Sequence, residues 1–262
     1  MTAVVKKALS LLSLFTERAP EYGLSEIGRL AMLDKATTHR LLRTLREAGL
    51  VEQNPATKLY RLGPTILSLA RVREATFPFV SVVQPALERL SDLTGETAHC
   101  SLHTHNALAV MAFAESKKAT RVSMRDAETL PFHATASGIA YLAFAPNDSL
   151  AEALKLPLVA YTAQTYVRAD QVQDAIAVAR QTGYATVDKS FEDEVVGIAA
   201  PLFGSDQRSI GAIAVAVPSH RLTHDTERQI AKHLLSTAVH LCRQFGNAPP
   251  ADFLRLAAAF SV

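Results

Sequence analysis

The chain of 262 residues predicts an α+β protein in two parts, a small basic unit of helices with a hairpin and a larger unit of helices flanking an antiparallel sheet. Three observations predict it. Two short helical patterns, a tight turn and an alternating hairpin fill Leu24 to Leu62. From Glu96 the hydrophobic period changes to two, with helical stretches between the strand pairs. The charge is divided unevenly: residues 1–75 hold 12 Lys+Arg against 7 Asp+Glu, a net +5, and the remainder holds 15 against 18, a net −3.

Val5, Leu9, Leu12 and Phe15 mark one face of a first helix. Lys6-Lys7 followed by the apolar stretch from Ala8 to Phe15 imitates a secretory leader, but Glu17 and Arg18 follow at once and no small-residue cleavage site is present. Ser25 is a natural N-cap for a second helix, with Ile27, Leu30 and Ala31 on one face up to about Met32. Asp34 caps a third. There Leu41, Leu42, Leu45 and Ala48 form a core stripe, Lys35, Thr37, Thr38, His39, Arg40, Arg43 and Thr44 face outward, and Gly49 is the C′ stop. Leu50 to Leu62 reads as two strands joined at Asn54-Pro55, with Lys58 and Arg61 near the tip and on the return strand. Helix, turn, helix and hairpin make a winged helix-turn-helix. Its outward face carries hydroxyls, a His and cations, the groups that read a major groove, with Lys58 and Arg61 placed for the flanking backbone or minor groove and Ser25 counted among the DNA-binding residues. The same pattern also suits any small packed unit, and the local positive charge favours phosphate neutralisation.

Gly63-Pro64 closes the hairpin. Thr65 to Ala75 is a linker helix whose Ile66, Leu67, Leu69, Ala70 and Val72 are too many for one shallow face, which predicts packing against more than one neighbour. Phe77-Pro78 marks a boundary, giving parts at 1–63, 64–77, 78–247 and 248–262. Val80, Val83, Leu87, Leu90 and Leu93 define a helix ending at Gly95. Thr97 to Leu102 and Ala107 to Glu115 are strands turning at His103 to Asn106, and Thr120 to Arg125 is a further strand. Pro131 opens a loop into a helix from Thr135 to Phe144. Asp170 caps a helix with Val172, Ile176 and Ala179 inward and Gly183 as its stop. Val195 to Phe203 and Ser209 to Val217 form a hairpin. Thr223 caps the last long helix, with Asp225 and Glu227 in its first turn and Ile230, Leu234, Leu241 and Phe245 inward. Beyond Pro249-Pro250, Phe253, Leu254, Leu256 and Phe260 make an apolar tail that docks on a subunit or frays.

Hydrophobic residues make up 48% and charged residues 20%, enough to bury a real core. The longest apolar runs are about eight residues, far short of a membrane span. Cys100 and Cys242 form no disulfide framework, and the cytoplasm is the expected compartment. Catalysis has little support: no G-x-S-x-G, HExxH or phosphate-binding glycine run is present, and Glu192, Asp193 and Glu194 lack a spaced partner carboxylate. A thiol enzyme working through Cys100 is the competing class. His99, Ser101, His103 and His105 alternate onto one strand face, but the turn at 103–106 scatters the imidazoles, so neither a metal nor another cofactor is expected.

Lys35 to Leu45 resembles the recognition helix of the IclR family of bacterial transcription regulators. Pro131 to Ala143 resembles that family's effector-domain segment, and Gly183-Tyr184-Ala185, Gly197 to Leu202 and Gly211 to Val215 follow in the family's order and spacing. The resemblance runs from about Val4 to Phe245. It implies a GAF-like sensor domain and a ligand-responsive regulator acting as a homodimer or homotetramer on a palindromic double-stranded operator, with repression the commoner mode. It also implies an effector site at Thr135, Ala136, Ser137, Val195, Gly197, Ala214 and Ala216. The small residues opening the helix at 135 leave backbone N–H groups and hydroxyls to face an oxygen-rich group. The residues themselves add His99, Ser101, Met111 and Phe113 as one wall, with Asp188 nearby. Glu194 and Gly197 stand where relatives usually have Gly and Cys, Ile139 replaces a common Lys, and Ala214 and Ala216 replace polar residues seen in some relatives. These departures remove hydrogen-bonding groups and add room, pointing to a bulkier and less anionic, or even cationic, effector. A constitutive DNA-binding protein whose second domain only oligomerises is the alternative.

Overall fold

The computed structural model describes residues 2–16, 19–124 and 129–260, arranged in two compact units, Met1–Pro78 and Phe79–Val262.

The first unit contains α1 (Thr2–Leu12), α2 (Leu24–Leu30), α3 (Lys35–Glu47), β1 (Val51–Gln53), β2 (Tyr60–Leu62) and α4 (Pro64–Thr76). Leu11, Phe15, Ile27, Leu41, Leu42, Leu45, Val51 and Tyr60 form its core. The buried face of α1 is set by Leu11, with Ala8 and Leu12 beside it, whereas Val5 and Leu9, expected inward, are exposed. Ser25 is not a cap. Gly23, in an extended conformation, takes that position and α2 begins at Leu24, so Ser25 lies exposed in its first turn. Leu30 is also exposed. Asp34 does cap α3, its carboxylate accepting the Thr37 N–H at 2.8 Å. This contact holds the Asp34 carboxyl below its ordinary pKa. Gly49, at φ +69°, supplies the left-handed residue that ends the helix, and Ala48 before it is exposed. The hairpin pairs Val51 with Leu62, and the Asn54 side chain closes the connection by accepting the Ala56 N–H at 2.9 Å. No residue of α4 is buried: Leu67, Leu69 and Val72 are all exposed. Apolar side chains spread around this helix rather than gathering on one stripe, and within the single chain they stay uncovered.

The second unit contains α5 (Phe79–Thr94), β3 (Thr97–His103), β4 (Leu108–Ala114), β5 (Thr129–Leu130), α6 (Ala136–Phe144), α7 (Asn147–Ala153), α8 (Ala169–Thr182), β6 (Ala185–Asp188), β7 (Val195–Phe203), β8 (Ser209–Pro218), α9 (His224–Gln244) and α10 (Ala251–Ala259). The strands form one antiparallel sheet in the order β5-β4-β3-β8-β7-β6. Helices α5 and α9 pack together against one side, and α6 with α8 against the other. The central strand β8 is therefore buried almost throughout and reads as a continuous apolar run rather than an alternating one.

Several expectations change here. Thr120 to Met124 is not a strand, and Arg125 lies outside the described residues. Side chains hold the segment instead: Thr97 Oγ donates to the Val122 carbonyl at 2.6 Å and Arg221 to that of Thr120 at 2.9 Å. Asp170 is a first-turn residue of α8, whose cap position is Arg168, while Gly183 at φ +85° is its stop. In α5, Val80 and Leu93 are exposed; Phe79, Ala86 and Ser91 are buried with Val83, Leu87 and Leu90. Thr223 does cap α9, accepting the Thr226 N–H at 3.2 Å. The apolar tail forms α10 and docks on its own unit, with Phe253 fully buried 4.9 Å from the Phe203 ring and 5.7 Å from that of Phe144.

Candidate functional site

The outer face of α3 presents Lys35, His39, Arg40, Arg43 and Thr44 to solvent, with Thr37 half-buried. Thr38, expected to face outward, is fully buried. It stands three and four residues before Leu41 and Leu42 and so belongs to the core stripe. Its hydroxyl donates to the Asp34 carbonyl at 2.8 Å, and a Cβ placed on Gly28 would come within 3.1 Å of it, so Thr38 is the seat on which α2 rests. Arg43 pairs loosely with Glu47 at 3.7 Å. In the wing, Arg61 donates to Glu52 at 2.5 Å and to Glu21 at 3.4 Å, so much of its charge is spent locally. Lys58 is exposed and makes no ion pair among the described residues. The sequence reading missed Arg29, which is exposed four residues after Ser25 on α2 and hence on the same side of that helix.

A cavity of about 70 Å³ lies in the second unit between the start of α6, the sheet and the β6–β7 connection. Eight expected residues line it: His99, Thr135, Ala136, Ser137, Val195, Gly197, Ala214 and Ala216. Ser101, Met111, Phe113 and Asp188 do not. The floor runs from β3 towards β6, which leaves the β4 residues Met111 and Phe113 outside it. Ser101 lies two residues further along β3, opposite Ala212 and past the bulge at Cys100. Alternation on β6 turns Val187 into the cavity and Asp188 to solvent. Ser190 and Phe191 on the β6–β7 connection and Met124 were missed, because irregular segments carry no periodic signal. Val187 was findable from the strand pattern.

The start of α6 is shaped for close approach. Thr135 Oγ accepts the Gly138 N–H at 3.1 Å and donates to the Pro131 carbonyl at 2.9 Å. The first N–H groups of the helix, at Ala136 and Ser137, have no intrahelical partner. A Cβ on Gly197 would stand 3.1 Å from that of Ala136, so the small residue lets the helix end meet the sheet.

His99 Nε2 lies 3.2 Å from Ser137 Oγ, while Nδ1 is buried without a protein partner. Burial lowers the pKa of His99 from 6.5 to about 4, so the ring is neutral near pH 7. Between these two values the unfolded chain binds a proton that the folded chain refuses. Stability is therefore full above about pH 6.5 and falls as the pH drops towards 4, by roughly 3 kcal/mol from this group. Urea titrations at the two ends of that window check it: His99→Gln is expected to flatten the slope, and an unchanged slope would assign the loss to other groups.

Cys100 is fully buried, and burial pushes its thiol pKa upward, leaving no thiolate for a thiol-enzyme mechanism. His103 stacks on Tyr141 at 4.9 Å and Phe132 at 5.8 Å, apart from the cavity-lining His99. Among the described residues no three His, Cys, Asp or Glu side chains converge as metal ligands.

Residues 75–243 match the profile of the bacterial transcriptional regulator IclR C-terminal domain, and residues 4–55 match the IclR helix-turn-helix domain. The chain belongs to the IclR family. It is 29% identical to the HTH-type transcriptional regulator XynR of Escherichia coli K12, over 92% of this chain and 96% of that regulator. To the transcriptional repressor IclR of the same organism it is 25% identical, over 92% of this chain and 89% of the repressor. A crystal structure of an IclR transcriptional regulator from Silicibacter sp. TM1040 superposes with a TM-score of 0.90 at 43% identity, covering 95% of this chain and 99% of that one. An IclR homologue from Microbacterium hydrocarbonoxydans, crystallised with 4-hydroxybenzoate, shares the fold at a TM-score of 0.70 and 24% identity, covering 93% of this chain and 99% of that one. IclR proteins are transcriptional regulators rather than enzymes, which sets the catalytic reading aside. Among the described residues no helix is long and apolar enough to cross a membrane.

Proposed function

We propose that this IclR protein is a ligand-responsive regulator in which α3 enters the major groove of an operator and the cavity of the second unit receives a small-molecule effector. The observation that carries the first half is the row of exposed hydrogen-bonding and cationic side chains on one helix of a unit with net charge +5. Lys35, Thr37, His39, Arg40, Arg43 and Thr44 supply base and phosphate contacts, with Ser25, Arg29 and Lys58 on the flanking backbone. Arg61 supports the hairpin, and Thr38 acts through the seating of α2. Lys58→Ala is expected to weaken all DNA sequences alike and to lower the salt slope by about 1, which anisotropy titrations at several salt concentrations measure. An unchanged slope would take the wing out of the interface.

The second half rests on a largely apolar cavity with a few polar groups, the usual form of a small-molecule site. That a homologue binds 4-hydroxybenzoate supports it. The exposed Leu67, Leu69 and Val72 of α4 suit subunit pairing into a homodimer or homotetramer in the cytoplasm, matching a palindromic operator. Repression is the reading favoured by the relatives named as repressors. The effector then acts by population shift, favouring one arrangement of paired sensor domains over another. Thermal shift with fractionated metabolite extract tests this: a specific fraction stabilises a sensor, whereas a constitutive DNA-binding protein gains nothing.

A further inference from the structure

Two polar atoms in the cavity wall are buried and pair with no protein group: His99 Nδ1 and Ser190 Oγ. The two residues are only 7% and 1% exposed. A buried polar group left unpaired costs about 1–3 kcal/mol, so two in one cavity call for a ligand that completes them. They come from opposite ends of the site. His99 is on β3, and Ser190 is just past the end of β6; in the sheet β3 and β6 are separated by β8 and β7. Both nevertheless line the one cavity. Between them the lining is largely apolar, with Met124, Leu130, Val187, Phe191, Ala214 and Ala216, and Glu192 adds a carboxylate near the Ser190 end.

At the His99 end the neutral imidazole and Ser137 Oγ share one hydrogen bond, which leaves the pair one further hydrogen to donate: with Nε2 accepting from Ser137, it is Nδ1–H. Beside the first N–H groups of α6, this donor suits a carboxylate or carbonyl oxygen. The Ser190 end is different in kind. Its carbonyl is held by Thr165 Oγ at 2.6 Å and by Thr162 Oγ at 3.4 Å, so the backbone is fixed while the hydroxyl is left buried in the cavity wall without a protein partner. A hydroxyl both donates and accepts, so it takes a hydroxyl or carbonyl partner.

We infer that the cavity takes a two-ended ligand: an apolar body of one ring or a short chain, with an acceptor oxygen at the His99–Ser137 end and a second oxygen group at Ser190. This rests on the reading of the cavity as an effector site and narrows its ligand class. One-ended acids leave the Ser190 hydroxyl unpaired and lose affinity for that reason.

The test pairs probes that differ only in the second end, 4-hydroxybenzoate with benzoate and 6-hydroxyhexanoate with hexanoate, titrated into the full chain by thermal shift and calorimetry. At least one two-ended probe is expected to bind roughly tenfold tighter than its one-ended partner, and Ser190→Ala to erase that difference. Without ligand, Ser190→Ala is expected to melt at the same temperature or higher, since it removes an unpaired buried hydroxyl; a lowered melting temperature would show that the hydroxyl has a structural partner and overturn the inference. Equal affinities within both pairs, or no binding of either two-ended probe while metabolite extract still stabilises the protein, overturn the ligand class and keep the effector reading. Failure of the extract as well removes both.

Discussion

Arg40→Glu is expected to abolish operator binding and leave the melting temperature of the protein unchanged. Arg40 is exposed on α3 and makes no ion pair among the described residues, so its charge is available to a partner. Removing one base or phosphate contact costs about 1–3 kcal/mol, and reversing the charge adds repulsion from the phosphates. A symmetric dimer loses the contact twice, so the affinity should fall more than roughly 100-fold. Thr38→Ala is the informative contrast. It deletes a buried hydroxyl bonded to Asp34 and opens space beneath Gly28, so any binding defect should arrive with a lowered melting temperature. Anisotropy titration beside calorimetry separates the two variants. If Arg40→Glu kept its affinity, or Thr38→Ala lost it with undisturbed melting, the assignment of the two faces of α3 would be reversed.

Gly138→Ala carries the second large effect. A Cβ at this position would stand 2.2 Å from the Phe132 carbonyl oxygen and 2.4 Å from its Cα. Both are backbone atoms, so no side-chain rotation relieves the clash and the start of α6 must move away from the preceding segment. Overpacking of this kind costs about 3 kcal/mol or more, roughly 6 °C or more in melting for a unit of this size. The displaced helix end carries Thr135, Ala136 and Ser137, so the cavity loses a wall. The variant should melt early and fail to respond to effector, while the first unit, which has its own core, still binds DNA. A normal melting curve would show that the close approach at Phe132 is not needed. Gly197→Val is the milder companion. It fills the cavity floor against Ala136 and is expected to remove ligand response with a smaller loss of stability, read by thermal shift.

Much of the architecture is legible in the residues because its signals are local. Asp34 and Thr223 cap helices through their own side chains, and Gly49 and Gly183 end helices by adopting positive φ. Thr38 shows the opposite case. Its hydroxyl suggests a surface, but its spacing from Leu41, Leu42 and Leu45 places it in the core, and periodicity outweighs polarity when the hydroxyl can bond the preceding turn. The engagement of Arg61 was also readable, since Glu52 lies directly opposite it in the hairpin register. The cavity was readable only where it rests on regular elements. His99, Val187, Gly197, Ala214 and Ala216 follow strand alternation, whereas Ser190, Phe191 and Met124 come from irregular segments placed by tertiary hydrogen bonds. The covering of the α4 leucines was not readable for a similar reason, since periodicity reports that a residue is apolar but not which surface covers it.

The most direct test is the binding of the promoter region of the protein's own gene, titrated at several salt concentrations with the full chain and its Arg40→Glu variant, with and without metabolite extract. Tight, salt-sensitive binding by the native chain, lost in the variant and altered by extract, is the expected result. Equal retention of that DNA by both proteins, or none by the native chain at low ionic strength under either condition, would contradict it.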